Sequence, residues 1–390
     1  MTDVAKVSSR GARRWAAGHP WIFRSDVVLA PASGAGVVRV VTGPSRPLGW
    51  ALWSPASEIS LRLLDPDPDA SIDGRWWRER IAAAGRRRSA IGREANAFRL
   101  VYGEADGCPS LIADRYDRWV VVQLLSAGVE RFRAEIVDAL LSVAAPDGIL
   151  ARHDVAARAR EGLPQDVTVL HGSVPAEIEV MEHGVRYLAA PWTGQKTGAF
   201  LDQRENRLLA GRHTPEGGRA LDCFSYHGSF ALHLARRAAH VVALDTSDAA
   251  LERVAANAAL NALTNIETVA ADAFEYLRKA ERAETRFDLI VLDPPAFAKS
   301  RAALPAAVRG YKEINLRAMR LLSREGRLFT ASCSHHLSRA HFVRMLHDAA
   351  ADSGRRLVLR TLAGQPDDHP EVITIPETGY LKGALLQAVP

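Results

Sequence analysis

The first 72 residues alternate short apolar runs with turns. Runs such as GVVRVV, LGWALW and ISLRLL have the β-branched and aromatic character of strands, and the turns PASGAG and TGPSRP separate them. Short strands at this spacing are typical of small closed sheets. The pattern therefore predicts a β-barrel over residues 1–72, followed by the proline- and aspartate-rich linker DPDPDAS.

Residues 75–188 mix helical and strand periodicity. The stretch opens with the basic helix GRWWRERIAAAGRRR and continues with a hairpin in SLIADRYDRWVVVQLLS and a helix in ERFRAEIVDALLSVA. A second hairpin, AEIEVMEHGVRYLAA, ends it. These elements predict a small central α+β domain.

Strands and helices alternate through residues 191–390. RALDC, HVVALD, IETVA, FDLIVL and RLFTAS have strand character, and helical stretches such as AALERVAANAALNAL separate them. Alternation of this kind predicts a mostly parallel sheet covered by helices on both faces. The fold class is therefore α/β, with a Rossmann-like domain at the carboxyl-terminal side.

Acidic residues follow four of these strands. Asp222, Asp245, Asp272 and Asp293 lie where strands end, and ligands of open α/β sheets bind beyond those ends. The first turn has Gly228 but lacks the glycine pattern that cradles a pyrophosphate, which disfavours a nicotinamide cofactor. Carboxylates without a phosphate loop fit a cationic nucleoside, so we predict S-adenosylmethionine.

Each acid also has a structural alternative. Aspartate between a strand and a helix is often a helix N-cap. We expect Asp245 to accept the ribose hydroxyls and Asp272 to meet the adenine amino group, because the four acids occur in series beside Phe224 and Phe274.

A thiol and a rigid turn follow the last two strands. In TASCSHHLS, Cys333 ends a strand, and a thiolate there is able to add to C6 of a pyrimidine and activate C5 toward methylation. In LDPPAF, the two prolines after Asp293 predict a turn that presents Phe297 to a flipped-out base. The alternative for Cys333 is a buried, inert thiol, which is our expectation for Cys108 and Cys223. We assign no catalytic role to His335 or His336.

Composition and charge narrow the class of protein. Of the 390 residues, 47% are hydrophobic and 24% charged, no long apolar run predicts a membrane span, and three scattered cysteines disfavour disulfides and zinc. We therefore expect a soluble cytoplasmic protein without a metal. The net charge of +5 includes arginines interleaved with tryptophans in GARRWAAGHPWIFR, which favours nucleic-acid binding over a merely solvated surface.

Seven motifs together resemble one family. GHPWIF, LIADRYDRWVVVQ, GQKTGAFLDQREN, DCFSYHGSF, LDPPAF, SCSHHL and ETGYLKGALL are similar to motifs of RlmI-type methyltransferases, which make 5-methylcytosine in large-subunit ribosomal RNA. The resemblance extends along the whole chain. It implies an N-terminal PUA domain that binds RNA, a class I S-adenosylmethionine-dependent methyltransferase domain, and large-subunit ribosomal RNA as partner. The resemblance does not decide whether the protein forms a homodimer.

The resemblance also implies the site residues. Cys333 would be the nucleophile. LDPPA lacks the second cysteine of many RNA cytosine-5 methyltransferases, so the resemblance does not identify the base that removes the C5 proton; Asp293 is a candidate by its proximity alone. Tyr226 stands where many methyltransferases have a glycine. The expected cofactor contacts are Gln203, Asp222, Phe224, Tyr226, Gly228, Asp245, Thr246, Asp272, Ala273 and Asp293. The expected RNA contacts are Arg13, Trp15, His19, Trp21, Lys196 and Arg204.

Three other functions compete with this interpretation. A methyltransferase acting on an exocyclic amine of adenine or guanine also uses an acid-Pro-Pro-x-Phe turn and needs no thiol. An RNA-binding assembly factor without activity would keep the basic surface but not the acids. A nicotinamide oxidoreductase is the most distant alternative, since the glycines are missing.

Overall fold

The chain forms two compact units in a computed structural model that describes residues 3–298 and 300–390. The first unit comprises Met1–Val180, Ala189–Leu201 and Asp367–Gly379, and the second comprises Met181–Leu188, Asp202–Pro366 and Tyr380–Pro390. The predicted division at 1–72, 75–188 and 191–390 stays a prediction, and its residues Met1, Thr2 and Lys299 lie outside the described residues.

A six-stranded sheet begins the first unit. Its elements are β1 (Val4–Val7), α1 (Ser9–Ala16), β2 (Trp21–Ile22), β3 (Val27–Leu29), β4 (Gly36–Thr42), β5 (Arg46–Trp53) and β6 (Leu61–Asp65). The strand order is β2-β6-β5-β4-β1-β3. Val38 and Leu61 are buried in its core because alternate positions of each strand face inward, and Trp15 of α1 is buried in the same core. The β domain predicted from the strand pattern is confirmed, and it also contains α1.

A five-stranded sheet with helices follows in the same unit. Its elements are α2 (Gly74–Arg87), β7 (Ala97–Tyr102), β8 (Leu111–Tyr116), β9 (Trp119–Leu124), α3 (Ala127–Glu130), α4 (Arg133–Ala144), β10 (Gly148–Arg152), α5 (Ala156–Arg160) and β11 (Val167–Gly172). The strand order is β11-β10-β9-β8-β7. Trp77 and Ile81 of α2 and Leu140 of α4 are buried in one apolar cluster with the sheet, so the predicted α+β region is confirmed.

Two further strands, β12 (Ile178–Glu182) and β13 (Val185–Ala189), form the second predicted hairpin. His183 and Gly184 between them both have positive φ, at 47° and 77°. Two successive left-handed residues are the backbone signature of a tight hairpin turn, and glycine at the second position favours it.

The second unit contains a seven-stranded sheet. Its remaining elements are α6 (Arg204–Arg212), β14 (Arg219–Cys223), α7 (Ser229–Ala235), β15 (His240–Asp245), α8 (Asp248–Leu260), β16 (Ile266–Ala270), α9 (Ala273–Arg282), β17 (Phe287–Leu292), α10 (Leu304–Leu321), β18 (Leu322–Ser332), α11 (Arg339–Ser353), β19 (Leu357–Ala363) and β20 (Lys382–Ala388). The strand order is β16-β15-β14-β17-β18-β20-β19.

Strands β14 to β18 are parallel to one another, whereas β20 pairs antiparallel with both β18 and β19. The strand FDLIVL of β17 is apolar on both faces because it lies between β14 and β18 with buried clusters on either side. The predicted mostly parallel sheet is confirmed. The carboxyl ends of its parallel strands meet at one edge, which is where the four predicted acids and Cys333 lie at or just after the ends of their strands.

None of the helices in the described residues combines the length and hydropathy needed to cross a membrane. A group of histidine, cysteine and acidic side chains able to hold a metal ion is likewise absent from the part of the chain that the structure describes.

Candidate active site

The turn after β14 has an unusual backbone. Phe224, Tyr226 and Gly228 all have positive φ, at 64°, 51° and 85°. For Phe and Tyr this conformation is strained, and strain of this kind concentrates at functional sites. A Cβ on Gly228 would lie 3.0 Å from Val254 Cγ1, so glycine is required where the turn meets α7. The turn thus follows a tightly wound path although only one of these positions is a glycine.

Asp222 lies at the start of this turn and is fully buried. Its Oδ2 accepts hydrogen bonds from Ser225 Oγ (2.7 Å) and from the Ala231 amide (3.0 Å), while Oδ1 has no donor among the described residues. Burial, reinforced by the charges of Asp293 and Asp245, raises the pKa of Asp222 to about 7. A buried carboxylate oxygen without a donor, close to two other acids, favours a bound cation over a bound anion.

Asp245 joins two turns. Its Oδ2 accepts from the Tyr226 amide (2.9 Å) and its Oδ1 from the Ser247 amide (3.1 Å). The carboxylate is half-buried and the adjacent Thr246 is exposed. These contacts hold the first turn and the end of β15 together.

Asp272 is a helix N-cap, which was the structural alternative given above for each of the four acids. This residue is exposed and caps α9, where its Oδ1 accepts from the Glu275 amide at 3.0 Å. The next residue, Ala273, is buried in the first turn of the helix. Contact of Asp272 with an adenine stays a prediction.

Asp293 directly follows β17, and two linked side-chain amides hold its carboxylate by hydrogen bonds. Gln203 Nε2 donates to Asp293 Oδ1 at 2.7 Å, and Asn206 Nδ2 donates to Gln203 Oε1 at 2.6 Å and to the Gly364 carbonyl at 3.0 Å. Gln203 and Asn206 are buried. The structure thus brings the predicted Gln203 to the predicted Asp293. Asn206, three residues after Gln203 in the same motif, was missed.

Cys333 directly follows β18 and is half-buried. Leu292 of β17 pairs with Thr330 of β18, so Asp293 and Cys333 follow neighbouring strands at one edge of the sheet. The other two thiols are buried, and burial raises the pKa of both Cys108 and Cys223. Of the three cysteines, Cys333 is the one whose side chain is only half-buried, and its role as nucleophile stays a prediction.

The last strand supplies further groups at this edge. Lys382 Nζ donates to the carbonyls of Ser334 and Tyr380, both at 2.7 Å. The Tyr380 hydroxyl donates to Asp202 Oδ2 at 2.5 Å, and its ring lies 5.3 Å from that of His335. The signal for Tyr380 and Lys382 was the motif ETGYLKGALL, which supported the family resemblance although no role was assigned to its residues.

The predicted RNA contacts lie in different environments. Arg13 and Lys196 are exposed, and Lys196 Nζ lies 4.8 Å above the ring of Phe200. Trp15 is buried in the core of the six-stranded sheet, and its indole N–H donates to the Pro20 carbonyl. Trp15 therefore does not present its ring for stacking on a base.

The side chains of the other three predicted RNA contacts each lie against a carboxylate of the protein. His19 Nε2 lies 3.1 Å from Glu377, and the Trp21 indole N–H donates to Glu104 at 2.9 Å. Arg204 is buried with its Nε donating to Glu205 at 3.0 Å. For Arg204, burial favours a structural ion pair over contact with RNA.

These acids fit S-adenosylmethionine. The sulfonium and ammonium groups of that cofactor are positive, and Asp222 Oδ1 is a buried acceptor without a donor among the described residues. Burial raises the pKa of Asp222, and the charges of Asp293 and Asp245 add to this effect; a bound cation would offset that repulsion. The same group of acids would repel a pyrophosphate.

Comparison with known proteins defines the class. A model of S-adenosylmethionine-dependent methyltransferases matches residues 131–379, and a model of PUA-like domains matches residues 5–66. A solved SAM-dependent methyltransferase from Streptococcus mutans shares the fold, with a TM-score of 0.84 over 99% of this chain and 100% of that one at 21% identity. The chain is an S-adenosylmethionine-dependent methyltransferase with an N-terminal PUA-like domain, and the predicted cofactor is confirmed.

Curated relatives define the family more closely. The ribosomal RNA large subunit methyltransferase I of Shewanella amazonensis is 40% identical over 94% of both chains. The protein of the same name from Tolumonas auensis is 38% identical over 95% of this chain and 96% of its own length. The chain therefore belongs to the ribosomal RNA large subunit methyltransferase I family, as the sequence motifs predicted.

Proposed function

We propose that the protein methylates C5 of a cytosine in large-subunit ribosomal RNA through a transient bond between Cys333 Sγ and C6 of the base. The observation that carries the proposal is the half-buried thiol at the same sheet edge as Asp293. The names of its relatives support the substrate, and we expect the activity to be cytoplasmic. A homodimer stays a prediction.

The Cys333 thiol increases the nucleophilicity of C5 of the cytosine. C5 is a weak nucleophile, and addition of the Cys333 thiolate to C6 moves electron density onto C5. S-adenosylmethionine, when bound, supplies an electrophilic methyl group to that carbon. A base then takes the C5 proton and the S–C6 bond breaks, which restores the aromatic ring and returns the thiolate. Asp293 is our candidate for this base.

The two turns that carry Asp293 and Cys333 are tied together. The Tyr311 hydroxyl lies 2.9 Å from Ser334 Oγ and accepts from the Phe297 amide at 3.3 Å. Ser334 Oγ also accepts from the Ala298 amide at 3.3 Å. The residues after each strand are thus linked, which supports a preorganised position for the thiol beside the Asp-Pro-Pro turn.

Phe297 suits a flipped-out base. Its ring is half-buried, with its centroid 4.5 Å from that of Tyr311 and 6.1 Å from that of Phe274. A supported aromatic ring beside the acid is able to stack on a nucleobase without being displaced.

Substitution of the thiol tests the proposal. Cys333→Ala should reduce transfer of labelled methyl groups to ribosomal RNA by roughly 10³-fold or more, because covalent activation of C5 is lost. Cys108→Ala, which removes a buried thiol in the first unit, is the matched control and should keep the activity. RNA carrying 5-fluorocytosine should form an adduct with the unsubstituted protein that survives denaturing electrophoresis, and none with Cys333→Ala.

The exocyclic-amine reaction is the second candidate, because the turn Asp293-Pro294-Pro295-Ala296-Phe297 also suits that chemistry. It would be favoured if Cys333→Ala retained normal activity and the product carried the methyl group on nitrogen. An assembly factor would be favoured if calorimetry detected no binding of S-adenosylmethionine.

A further inference from the structure

The five-stranded sheet of the first unit carries a cavity of about 770 Å³. Its walls come from α2, α4, β7 and β8, and its floor includes Phe98, Leu100 and Val143. Phe98 and Leu100 are almost fully buried, with side chains that alternate along β7 on one face. The floor is therefore a rigid apolar surface rather than a mobile loop.

Arginines form the rim of this cavity. Arg78 and Arg86 of α2 line it together with Ala82, at intervals of four residues, so the three lie on one face of the helix. Both arginines are exposed. Arg115 of β8 faces the same space and is half-buried, with its Nε donating to the Asp117 carbonyl at 2.8 Å.

The arginines of α2 differ in their ion pairs. Within the described chain, Arg78 and Arg86 have no carboxylate within salt-bridge distance, although three other arginines of the same helix do. Those three pairs are Arg75 with Glu79, Arg80 with Asp65 and Arg87 with Asp106. The guanidinium groups that face the cavity are thus the ones left to bind an external anion.

The charge of the cavity is positive. Three guanidinium groups, those of Arg78, Arg86 and Arg115, face one carboxylate, that of Asp117, which leaves a net of two positive charges. Arg88 also lines the cavity, but it is buried and its guanidinium is held by Asp106 at 2.7 Å, a carboxylate that it shares with Arg87.

A glycine opens the cavity floor. A Cβ on Gly85 would lie 3.5 Å from Val143 Cγ1 and 3.6 Å from Leu100 Cδ1, in ordinary contact. Alanine would therefore fit there and would favour the helix. The glycine instead leaves the space between α2 and the floor open.

We propose that this cavity binds one nucleotide of single-stranded RNA, with its phosphate oxygens on Arg78 and Arg86 and its base against the apolar floor. Guanidinium groups bind phosphate in a planar, bidentate geometry, and an apolar floor accepts the exposed face of an unpaired base. A duplex hides those faces by stacking, so a single strand fits better. The proposal rests on the proposed function only in that the ligand is RNA.

The first experiment tests whether the arginines of the cavity bind RNA. It measures, by fluorescence anisotropy, the affinity of the full-length protein for a labelled single-stranded oligoribonucleotide of mixed sequence. Arg78→Glu and Arg86→Glu should each weaken binding about tenfold, and each should lower the slope of log affinity against log salt by about 0.7. Arg93→Glu is the matched control because Arg93 is exposed just beyond α2 and does not line the cavity. It should bind as the unsubstituted protein does.

A second pair of variants tests the cavity itself without a change of charge. Ala82→Leu places a larger side chain in the cavity and should weaken binding several-fold, whereas Ala83→Leu, on a neighbouring half-buried position outside the lining, should not. Thermal unfolding checks that both variants are folded.

Three outcomes would overturn the proposal: no measurable binding by the unsubstituted protein, equal weakening by Arg93→Glu and Arg78→Glu, or unchanged binding by Ala82→Leu. Methyl transfer and RNA binding are measured separately, so failure of the cavity proposal is distinguishable from failure of the covalent mechanism.

Discussion

Asp222 is a single residue that holds a turn and is also predicted to contact the cofactor. One oxygen holds the turn after β14 through Ser225 and the Ala231 amide, and the other is buried without a donor among the described residues. Because burial and neighbouring acids raise its pKa to about 7, the group changes charge near neutral pH. A bound cation favours the ionised form and lowers that pKa.

The affinity for S-adenosylmethionine should therefore depend on pH. Below about pH 7 the Asp222 carboxyl takes up a proton, so the affinity should fall toward a tenfold loss per pH unit as the pH decreases from about 8 to about 6. Calorimetry at several pH values measures the affinity, and buffers of different ionisation enthalpy reveal the proton released on binding near pH 7.

Asp222→Asn provides the comparison. The amide keeps an oxygen for Ser225 but carries no charge, so we expect weaker binding without proton release. An affinity of the unsubstituted protein that stayed constant over this pH range would show that Asp222 does not face the cation.

At the scale of elements, a buried ion pair joins β12, α6 and α7 within the second unit. Arg207 donates to Glu182 through Nε at 2.5 Å and through Nη2 at 2.7 Å, and His233 Nε2 lies 3.1 Å from the same carboxylate. Burial by itself would raise the pKa of Glu182, but Arg207 and His233 outweigh it and hold that pKa far below its usual value. The pair therefore stays charged.

Removing the acid should be costly. Glu182→Gln removes the buried carboxylate charge that accepts two hydrogen bonds from the Arg207 guanidinium, so the free energy of unfolding should fall by about 3 kcal/mol in urea denaturation. Tyr187→Phe removes only the hydroxyl that donates to Glu182 at 3.1 Å and should cost about 1 kcal/mol. Equal losses in the two variants would mean that the charge of Glu182 contributes little.

At the scale of the whole molecule, the order of strands in space differs from their order along the chain. β20 contains almost the last residues of the chain, yet it lies between β18 and β19. Ser332, immediately before Cys333, pairs with Lys382, whose Nζ also binds the Ser334 carbonyl. The end of the chain thus supports the strand end that carries the thiol.

A truncation after residue 379 should therefore destroy the site. Without β20, β18 loses its antiparallel partner and β19 loses its only partner in the sheet as described. We expect a chain that unfolds at a much lower temperature and binds no S-adenosylmethionine. Removal of Pro390 alone, beyond β20, is the control, and a native-like unfolding temperature of the longer truncation would contradict the prediction.

Several features were predictable because they depend on local pattern. Period-two and helical runs identify the strands and helices, and parallel strands always bring their carboxyl ends to one edge. Motifs at those strand ends therefore predicted that Asp222, Asp245, Asp293 and Cys333 lie at one edge of the sheet.

Other features depended on packing between distant residues. The burial of Trp15 and Arg204, the contact of Tyr380 with Asp202 and the cavity beside α2 follow from which side chains the folded chain brings into contact. Sequence spacing does not encode those contacts, because the partners are far apart along the chain and their meeting depends on the whole fold. The sequence by itself therefore determined the class of fold, the cofactor and the strand ends of the site. Only the tertiary structure decided which polar side chains are neutralised inside the protein and which remain to bind a ligand.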